Sequence, residues 1–192
     1  ISLIGGGRIP RPGEVSLSNY GILFLDELPE FNRNSLEILR QPIEDRRVQI
    51  AILSGTHIFP TNIMVIAAMN PCRCGFYPDR NRCSCSVLEV EKYMGKISSP
   101  LLDRMDMSIE VPVLKYKEVQ DIKKNESSAS IRKRVERARE IQFKRFIDSG
   151  IHFNCEISAK ELNSYCKLSK KGKEIMEKSF SQMNLSMRAY HR

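Results

Sequence analysis

The sequence predicts an α/β domain followed by a small domain made entirely of helices. Residues 21–25 and 62–68 are short, apolar and β-prone, as expected for strands of a parallel sheet buried on both faces. Residues 34–44 between them carry apolar side chains at helical spacing, and the order strand, helix, strand is typical of an α/β sheet. From residue 131 onward the apolar spacing is helical, which predicts the second domain.

Turn residues and periodicity predict the remaining elements. Residues 1–20 are rich in Gly and Pro, which indicates a loop or an irregular hairpin. Residues 48–59 are β-prone and interrupted by a Ser-Gly pair, which favours a second hairpin. Ser158 and Glu161 have the spacing of a capping box at the start of a helix, and a further helix is expected over residues 169–183.

Composition divides the chain into an α/β core over residues 1–112, a polar linker over 113–130 and a helical domain over 131–192. Hydrophobic residues make up 41% of the 192 residues, which excludes a disordered chain. No apolar run approaches the ~18 residues of a membrane span, and the start lacks the pattern of a secretion signal. We therefore expect a cytoplasmic protein with no membrane partner. Because the chain lacks an initiator Met and stops within a helical pattern, we expect it to be a piece of a longer protein.

The chain is basic, with a formal charge of +8 from 31 Lys and Arg against 23 Asp and Glu. This balance favours acidic partners such as nucleic acid, nucleotides or a membrane surface, although many basic proteins bind no nucleic acid.

An acidic pair follows the first predicted strand. Asp26 and Glu27 come directly after four apolar residues, at the carboxyl end of the strand, where open α/β sheets bind their ligands. An Asp in this position can hold magnesium between nucleotide phosphates, and the adjacent Glu can orient or deprotonate a water molecule. The alternative is a strand followed by two acidic loop residues.

Three further polar residues extend this pattern. Asn70 follows the second predicted strand and can contact an attacking water or a phosphate. Arg104 is expected to be exposed and to reach the nucleotide of a neighbouring subunit, and the alternative is an ion pair with Asp103 or Asp106. Arg188 begins a late helix, where a guanidinium can contact a phosphate or serve as an ordinary surface charge.

In this order and at these separations, the motifs resemble the AAA+ ATPases, and within them the magnesium-chelatase-like YifB/ComM competence family. The segments that carry the resemblance are distributed over nearly the whole chain: residues 5–14, 24–31, 39–44, 68–72, 101–104 and 186–192.

The resemblance implies a P-loop-type parallel-sheet core with a helical lid, and it implies ATP and Mg²⁺ as cofactors. By this resemblance Asp26 and Glu27 form the Walker B motif, Asn70 is sensor 1, Arg104 is the arginine finger and Arg188 is sensor 2. It further implies a homo-oligomeric, usually hexameric, ring that drives DNA branch migration during natural transformation. The alternatives are a chelatase-type subunit that drives metal insertion into a porphyrin, and an ATPase that remodels another protein.

The sequence departs from the family pattern because no G-x-x-x-x-G-K-[ST] motif occurs anywhere in it. The glycines near the amino terminus lack the Lys and the hydroxyl residue of that motif. We therefore expect the full-length protein to be an ATPase and this chain alone to be inactive.

Two inserts resemble the pore-facing hairpins of this family. Residues 3–18 contain Arg8 and Arg11, which could contact DNA phosphates or could hold a Gly/Pro-rich loop against a neighbouring subunit. The insert at 48–59 has little charge near its turn, which weakens a phosphate-binding role for it. The basic segment 132–139 is interpreted as a solvated helix rather than a nucleic-acid contact.

Four cysteines form two C-x-C pairs, Cys72 with Cys74 and Cys83 with Cys85. Four thiolates that converge would make a tetrahedral structural Zn²⁺ site. The alternative is a cysteine-rich loop with free thiols, or with disulfides formed on oxidation.

Overall fold

The structure, a computed structural model, describes residues 3–53, 55–114 and 126–191. The chain forms two compact units, one ending at Ser108 and the other starting at Ile109. All the strands of the described residues belong to the first unit. Residues 115–125 of the predicted linker lie outside the described residues, so its extent stays a prediction.

The N-terminal unit opens with a small hairpin. Strand β1 (Gly5–Gly6) pairs antiparallel with β2 (Arg11–Pro12), and a helical turn, α1 (Glu14–Leu17), follows. Gly5 has a φ of +96°, and a Cβ there would collide with the backbone of the opposite strand. The hairpin therefore requires glycine at this position, and the first predicted insert is a hairpin rather than an open loop.

A parallel strand pair forms the centre of the unit. Strand β3 is Ile22–Leu25, and it runs parallel to the later strand Met64–Ala67, with Leu25 opposite Ala67. This pairing confirms the predicted α/β arrangement. The predicted burial of β3 on both faces is wrong, because Ile22 is 58% and Phe24 59% exposed. Successive side chains point to opposite faces, and only the face of β3 that carries Leu23 and Leu25 packs against the core of the described residues.

The helical segment after β3 is broken into pieces. A 3₁₀ turn (Leu28–Glu30) precedes α2 (Arg33–Ile38), which is followed directly by α3 (Arg40–Asp45). The single helix predicted over residues 34–44 is therefore interrupted at Leu39. Pro42 has no amide hydrogen to donate to the carbonyl of the preceding turn, which accounts for the break.

A second hairpin lies between α3 and the second parallel strand. Strands β4 (Arg47–Ile52) and β5 (Gly55–Pro60) pair along their whole length, which confirms the predicted hairpin. At its base, the hydroxyl of the buried Thr61 donates a hydrogen bond of 3.0 Å to the carbonyl of Pro42. This bond attaches the hairpin to α3.

After the second parallel strand, now β6, the chain forms a loop and two helices, α4 (Val87–Met94) and α5 (Ser99–Leu102). The buried core of the unit draws on α1, β3, the 3₁₀ turn, α2, β4 and the region of α5. Its members are Val15, Leu23, Leu25, Leu28, Leu36, Leu39, Val48, Ile97 and Leu101.

The C-terminal unit is helical where it is described. Its helices are α6 (Ser128–Arg145), α7 (Leu162–Tyr165), α8 (Lys170–Met183) and α9 (Met187–His191).

Helices α6 and α8 correspond to the helices predicted from residues 131 and 169. The expected apolar face of α6 is not covered, since Ile131, Val135 and Ile141 are exposed. Glu161 accepts hydrogen bonds from the Ser158 amide and hydroxyl at 3.0 and 2.6 Å, but α7 begins only after Glu161. None of the helices that the structure describes is both long enough and apolar enough to cross a membrane.

Candidate functional site

The acidic pair lies where the first parallel strand ends. Asp26 follows the last residue of β3, and both Asp26 and Glu27 are exposed. An Asp26 carboxylate oxygen accepts a hydrogen bond of 2.8 Å from the amide of Glu27. The remaining carboxylate oxygens face solvent and are hard ligands of the kind that Mg²⁺ prefers.

Glu27 has an unusual backbone conformation. Its φ of 50° and ψ of 47° lie in the left-handed region, which costs a residue with a side chain about 1–2 kcal/mol. The buried Leu28 and Pro29 that follow it anchor this turn to the core. Strained residues held in this way concentrate at functional sites, so the conformation supports a functional role for the acidic pair.

Asn70 lies at the same edge of the sheet as the acidic pair. The loops after β3 and β6 are tied together, because the Leu28 amide donates to the Ala68 carbonyl at 3.0 Å and the Ala68 amide donates to the Leu25 carbonyl at 2.9 Å. Asn70 is exposed and comes two residues after Ala68. This edge therefore presents two carboxylates and an amide to solvent, a set that can bind a hydrated cation and orient a water molecule.

Arg104 is buried, contrary to the prediction that it is exposed. Only 9% of the residue is accessible. Its guanidinium donates to the carbonyls of Arg40 and Pro100 at 3.1 and 2.5 Å and to a carboxylate oxygen of Glu44 at 2.5 Å. The neighbouring acids Asp103 and Asp106 were the expected partners, whereas Glu44 is 60 residues away along the chain. The side chain thus joins α3 to the end of α5.

The other three arginines of the prediction are divided between the two units. Arg188 is the second residue of α9 in the C-terminal unit, and its helix is stabilised by an edge-to-face contact between Phe180 and Tyr190. Arg8 lies in the turn of the first hairpin and Arg11 in its second strand, and both are exposed. The hairpin therefore exposes both arginines to solvent.

The four predicted metal ligands come together. The sulfur atoms of Cys72, Cys74, Cys83 and Cys85 all lie within 4.8 Å of one another. The Sγ–Sγ distances are 3.3 Å from Cys72 to Cys74, 3.8 Å from Cys72 to Cys83 and 3.5 Å from Cys74 to Cys83. Zinc–sulfur bonds of about 2.3 Å in a tetrahedron place the sulfur atoms roughly 3.8 Å apart, so the four thiols have the spacing of a zinc site.

Backbone amides also favour thiolates in this cluster. A hydrogen bond from the Phe76 amide and the neighbouring thiols lower the pKa of Cys74 to about 6. Burial raises the pKa of Cys83 to about 12 in the absence of a cation, and an amide hydrogen bond from Cys85 opposes this shift. The pKa of Cys74 thus favours a thiolate, and a bound metal ion would supply the charge that a buried thiol such as Cys83 needs to ionise.

The same loop carries residues that the sequence analysis did not single out. The guanidinium of Arg80 lies 4.9 Å from the ring centre of Tyr77, and that of Arg82 lies 4.1 Å from the ring centre of Phe76. The sequence pattern that could have identified them is a pair of adjacent aromatic residues followed at short spacing by two arginines.

Two family models cover almost the whole chain. Residues 1–119 match magnesium chelatase, subunit ChlI, and residues 125–192 match the ChlI C-terminal region. Competence protein ComM of Haemophilus influenzae is 42% identical over 192 residues, which is 100% of this chain and 37% of that protein. The uncharacterized protein YifB of Salmonella typhimurium is 38% identical over 193 residues, with the same coverage of 100% and 37%. The chain spans little more than a third of the length of these relatives.

Among solved structures, NtrX from Brucella abortus, crystallised with ADP, aligns with a TM-score of 0.35 and 20% identity. The alignment covers 54% of this chain and 20% of NtrX. A likeness this slight supports no conclusion about fold or ligand.

Proposed function

The chain belongs to the magnesium-chelatase-like family, in its YifB/ComM group, and on that basis we propose that it is part of an AAA+ ATPase that acts on DNA. The observation that carries the proposal is the shared sheet edge of Asp26, Glu27 and Asn70, because ATP hydrolysis needs a cation ligand and a group that orients water at one place. The working form is a hexameric ring in the cytoplasm.

In this proposal Asp26 holds Mg²⁺, and Glu27 orients and accepts a proton from the attacking water. Asn70 holds that water or a phosphate oxygen in place. The metal supplies charge neutralisation at the phosphates when it is bound. The chain itself contains no G-x-x-x-x-G-K-[ST] motif to bind the phosphates, and it spans 37% of the length of ComM.

The same proposal gives Arg188 and Arg104 roles at the phosphates of the nucleotide. Arg188 contacts the nucleotide from the lid as sensor 2. Arg104 serves as the arginine finger toward a neighbouring subunit, for which its guanidinium must leave Glu44 and the two carbonyls that it binds within its own chain. Among the proposed roles, the arginine-finger role is therefore the one that requires hydrogen bonds within the chain to be broken.

The proposed action on DNA rests on two features. The relative ComM is named a competence protein, and the family resemblance implies a role in natural transformation. The exposed Arg8 and Arg11 on the first hairpin can contact phosphates without regard to sequence. We accordingly assign branch migration, or a helicase-like movement on DNA, to the full-length protein.

We further propose that Cys72, Cys74, Cys83 and Cys85 bind one Zn²⁺. The sulfur spacing supports this assignment, as do the amide hydrogen bonds that favour thiolates. All four ligands come from the protein, so the ion has no open position for a substrate and its role is structural. It fixes the polar loop that directly follows Asn70.

A second candidate function is a chelatase-type ATPase subunit, because the matching family model is that of magnesium chelatase. A branch-migration assay on the full-length protein, with a porphyrin-metallation assay in parallel, separates the two. We expect ATP-dependent branch migration and no metallation, and loss of migration in Glu27→Gln. Metallation without any effect on DNA junctions would transfer the proposal to the chelatase function.

A further inference from the structure

The loop that holds the four cysteines carries two arginine–aromatic pairs on its surface. Arg82 stacks over Phe76 at 4.1 Å and Arg80 over Tyr77 at 4.9 Å, distances at which a cation is attracted to the face of a ring. The two rings belong to adjacent residues of the same loop, so the two pairs lie close together along the chain. Hereafter this patch of Phe76, Tyr77, Arg80 and Arg82 is called the stacking patch.

The stacking patch is open to solvent although its members are large. Phe76 is 41% and Tyr77 36% exposed, and both arginines are exposed as well. Aromatic rings are ordinarily buried in a protein core, because their burial removes a large apolar area from water. The two guanidinium groups and the loop cover part of each residue, and the rest is open to solvent.

The electrostatic character of the loop is positive. Residues 71–86 contain Arg73, Arg80 and Arg82 against the single acid Asp79. Contacts within the loop orient the two arginine side chains next to the rings. Each guanidinium packs on a ring face, and that of Arg80 also donates to the Cys85 carbonyl at 3.1 Å. Side chains that are already ordered lose less entropy when they bind a ligand.

The loop is attached to the rest of the unit through the cysteine cluster. Cys72 and Cys83 are buried against Val90 of α4, so the surface of the loop sits on a packed base. That base begins two residues after Asn70, at the sheet edge of the acidic pair. The residues of the stacking patch are thus close in sequence to Asn70, which belongs to the proposed ATPase site.

We propose that the stacking patch binds single-stranded DNA. Unpaired bases stack on the exposed rings, and the neighbouring arginines contact the phosphates, the combination by which proteins bind single strands without sequence preference. A duplex keeps the faces of its bases stacked on one another and unavailable to the rings, and an acidic peptide has no bases to stack on them. The inference rests on the proposed action on DNA and adds the site and the strand state that it recognises.

The test is binding of a fluorescent oligo(dT) and of a duplex of equal length to the full-length protein, followed by anisotropy over a range of salt concentrations. Phe76→Ala should weaken oligo(dT) binding by roughly 5- to 100-fold, the effect of losing one stacked base. Phe76→Leu, which keeps most of the side-chain volume, should weaken it in the same direction. Arg82→Ala should lower the slope of log affinity against log salt by about 0.7, the value of one lost phosphate contact on a single strand.

The matched control is Arg132→Ala on the exposed helix α6, which removes the same charge from the C-terminal unit instead of from the loop. We expect it to change oligo(dT) affinity less than twofold. The zinc content and melting temperature of each loop variant should equal those of the wild type, which separates loss of contact from collapse of the loop.

Three outcomes would overturn the inference. Oligo(dT) affinity within twofold of wild type in both Phe76 variants removes the rings from binding. An equal loss of duplex binding in these variants removes the preference for unpaired bases. Wild-type protein that binds no DNA overturns the proposed action on DNA together with this site, whereas the first two outcomes leave that proposed function standing.

Discussion

At the scale of single residues, Cys83 is the most informative member of the cysteine cluster, because burial alone would keep its thiol protonated. With a zinc ion bound it must be a thiolate. We expect protein purified without chelators to contain about one zinc per chain by elemental analysis, as a closed four-thiolate site requires. Cys83→Ser should lose the metal, and Cys155→Ser, an exposed cysteine outside the cluster, should retain it.

The ATPase activity of the full-length Cys83→Ser variant shows what the ion does. A structural ion predicts activity that is largely retained. Zinc below about one-tenth of an equivalent in the wild type, with all four thiols freely titratable, would contradict the site.

Arg104 is held by two carbonyls and a carboxylate, so its removal leaves three acceptors without their donor. Arg104→Ala should cost about 1–3 kcal/mol of folding free energy. In a chain of this size such a loss lowers the melting temperature by roughly 2–4 °C per kcal/mol. Thermal melts measure it, with Arg33→Ala at the exposed start of α2 as the control that should melt like the wild type.

The finger role of Arg104 needs a separate measurement. Mixed rings of full-length Arg104→Ala and Glu27→Gln should recover part of the ATPase activity, since each subunit completes the interface that the other lacks. No recovery in rings shown to be mixed would leave Arg104 with its structural role alone.

The sequence could predict residues whose signal is local and could not predict distant partners. Asp26, Glu27 and Asn70 follow apolar strands directly, so their place at a strand end could be inferred from neighbours in the chain. The four cysteines could be grouped because their spacing is short. The burial of Arg104 depends on Glu44, 60 residues away, and no periodicity records that contact.

At the scale of elements, helix α4 begins with a capping box that directly follows Cys85, the last residue of the cysteine cluster. The Glu89 carboxylate accepts from the Ser86 amide and hydroxyl at 2.7 and 2.8 Å, and the Glu89 amide donates to the Ser86 hydroxyl at 3.3 Å. Hydrogen bonds from Ser86 lower the pKa of Glu89 below its ordinary value of 4.5. The box therefore stabilises the fold above about pH 4.5, and the contribution is lost as the pH falls through the lowered value.

Glu89→Ala should accordingly reduce the melting temperature at neutral pH, and the difference from wild type should shrink as the pH falls through the lowered pKa of Glu89. Glu91→Ala on the same helix replaces an exposed Glu outside the box and serves as the control. A melting difference that is independent of pH would show that the charge of Glu89 plays no part in holding the helix.

Element boundaries were predicted best where turn residues mark them. The Ser-Gly pair located the turn between β4 and β5 correctly because a tight reversal needs such residues. The break at Leu39 was missed because Pro42 lies within an otherwise helical pattern. The exposure of Ile22 and Phe24 was missed because a continuous apolar run does not reveal how many faces of a strand are covered.

At the scale of the whole molecule, the chain contains some of the motifs that the proposed ATPase needs and lacks others. It contains the acidic pair, Asn70 and the arginines, and no G-x-x-x-x-G-K-[ST] motif. The family was predicted from short motifs in a fixed order, and relatives that are 42% and 38% identical over the whole chain confirm it. Ring assembly and action on DNA depend on surfaces between subunits and with a partner, which a single chain cannot specify by its pattern.

The most direct test of the central claim is ATP turnover by the full-length protein with Glu27→Gln. The substitution removes the carboxylate that orients water and keeps the shape of the side chain, so we expect nucleotide binding close to wild type and turnover reduced by at least roughly a hundredfold. Glu30→Gln changes an exposed Glu three residues further along the chain; it is the matched control and should hydrolyse ATP at the wild-type rate. Wild-type turnover in Glu27→Gln would contradict the assignment of this sheet edge as the ATPase site.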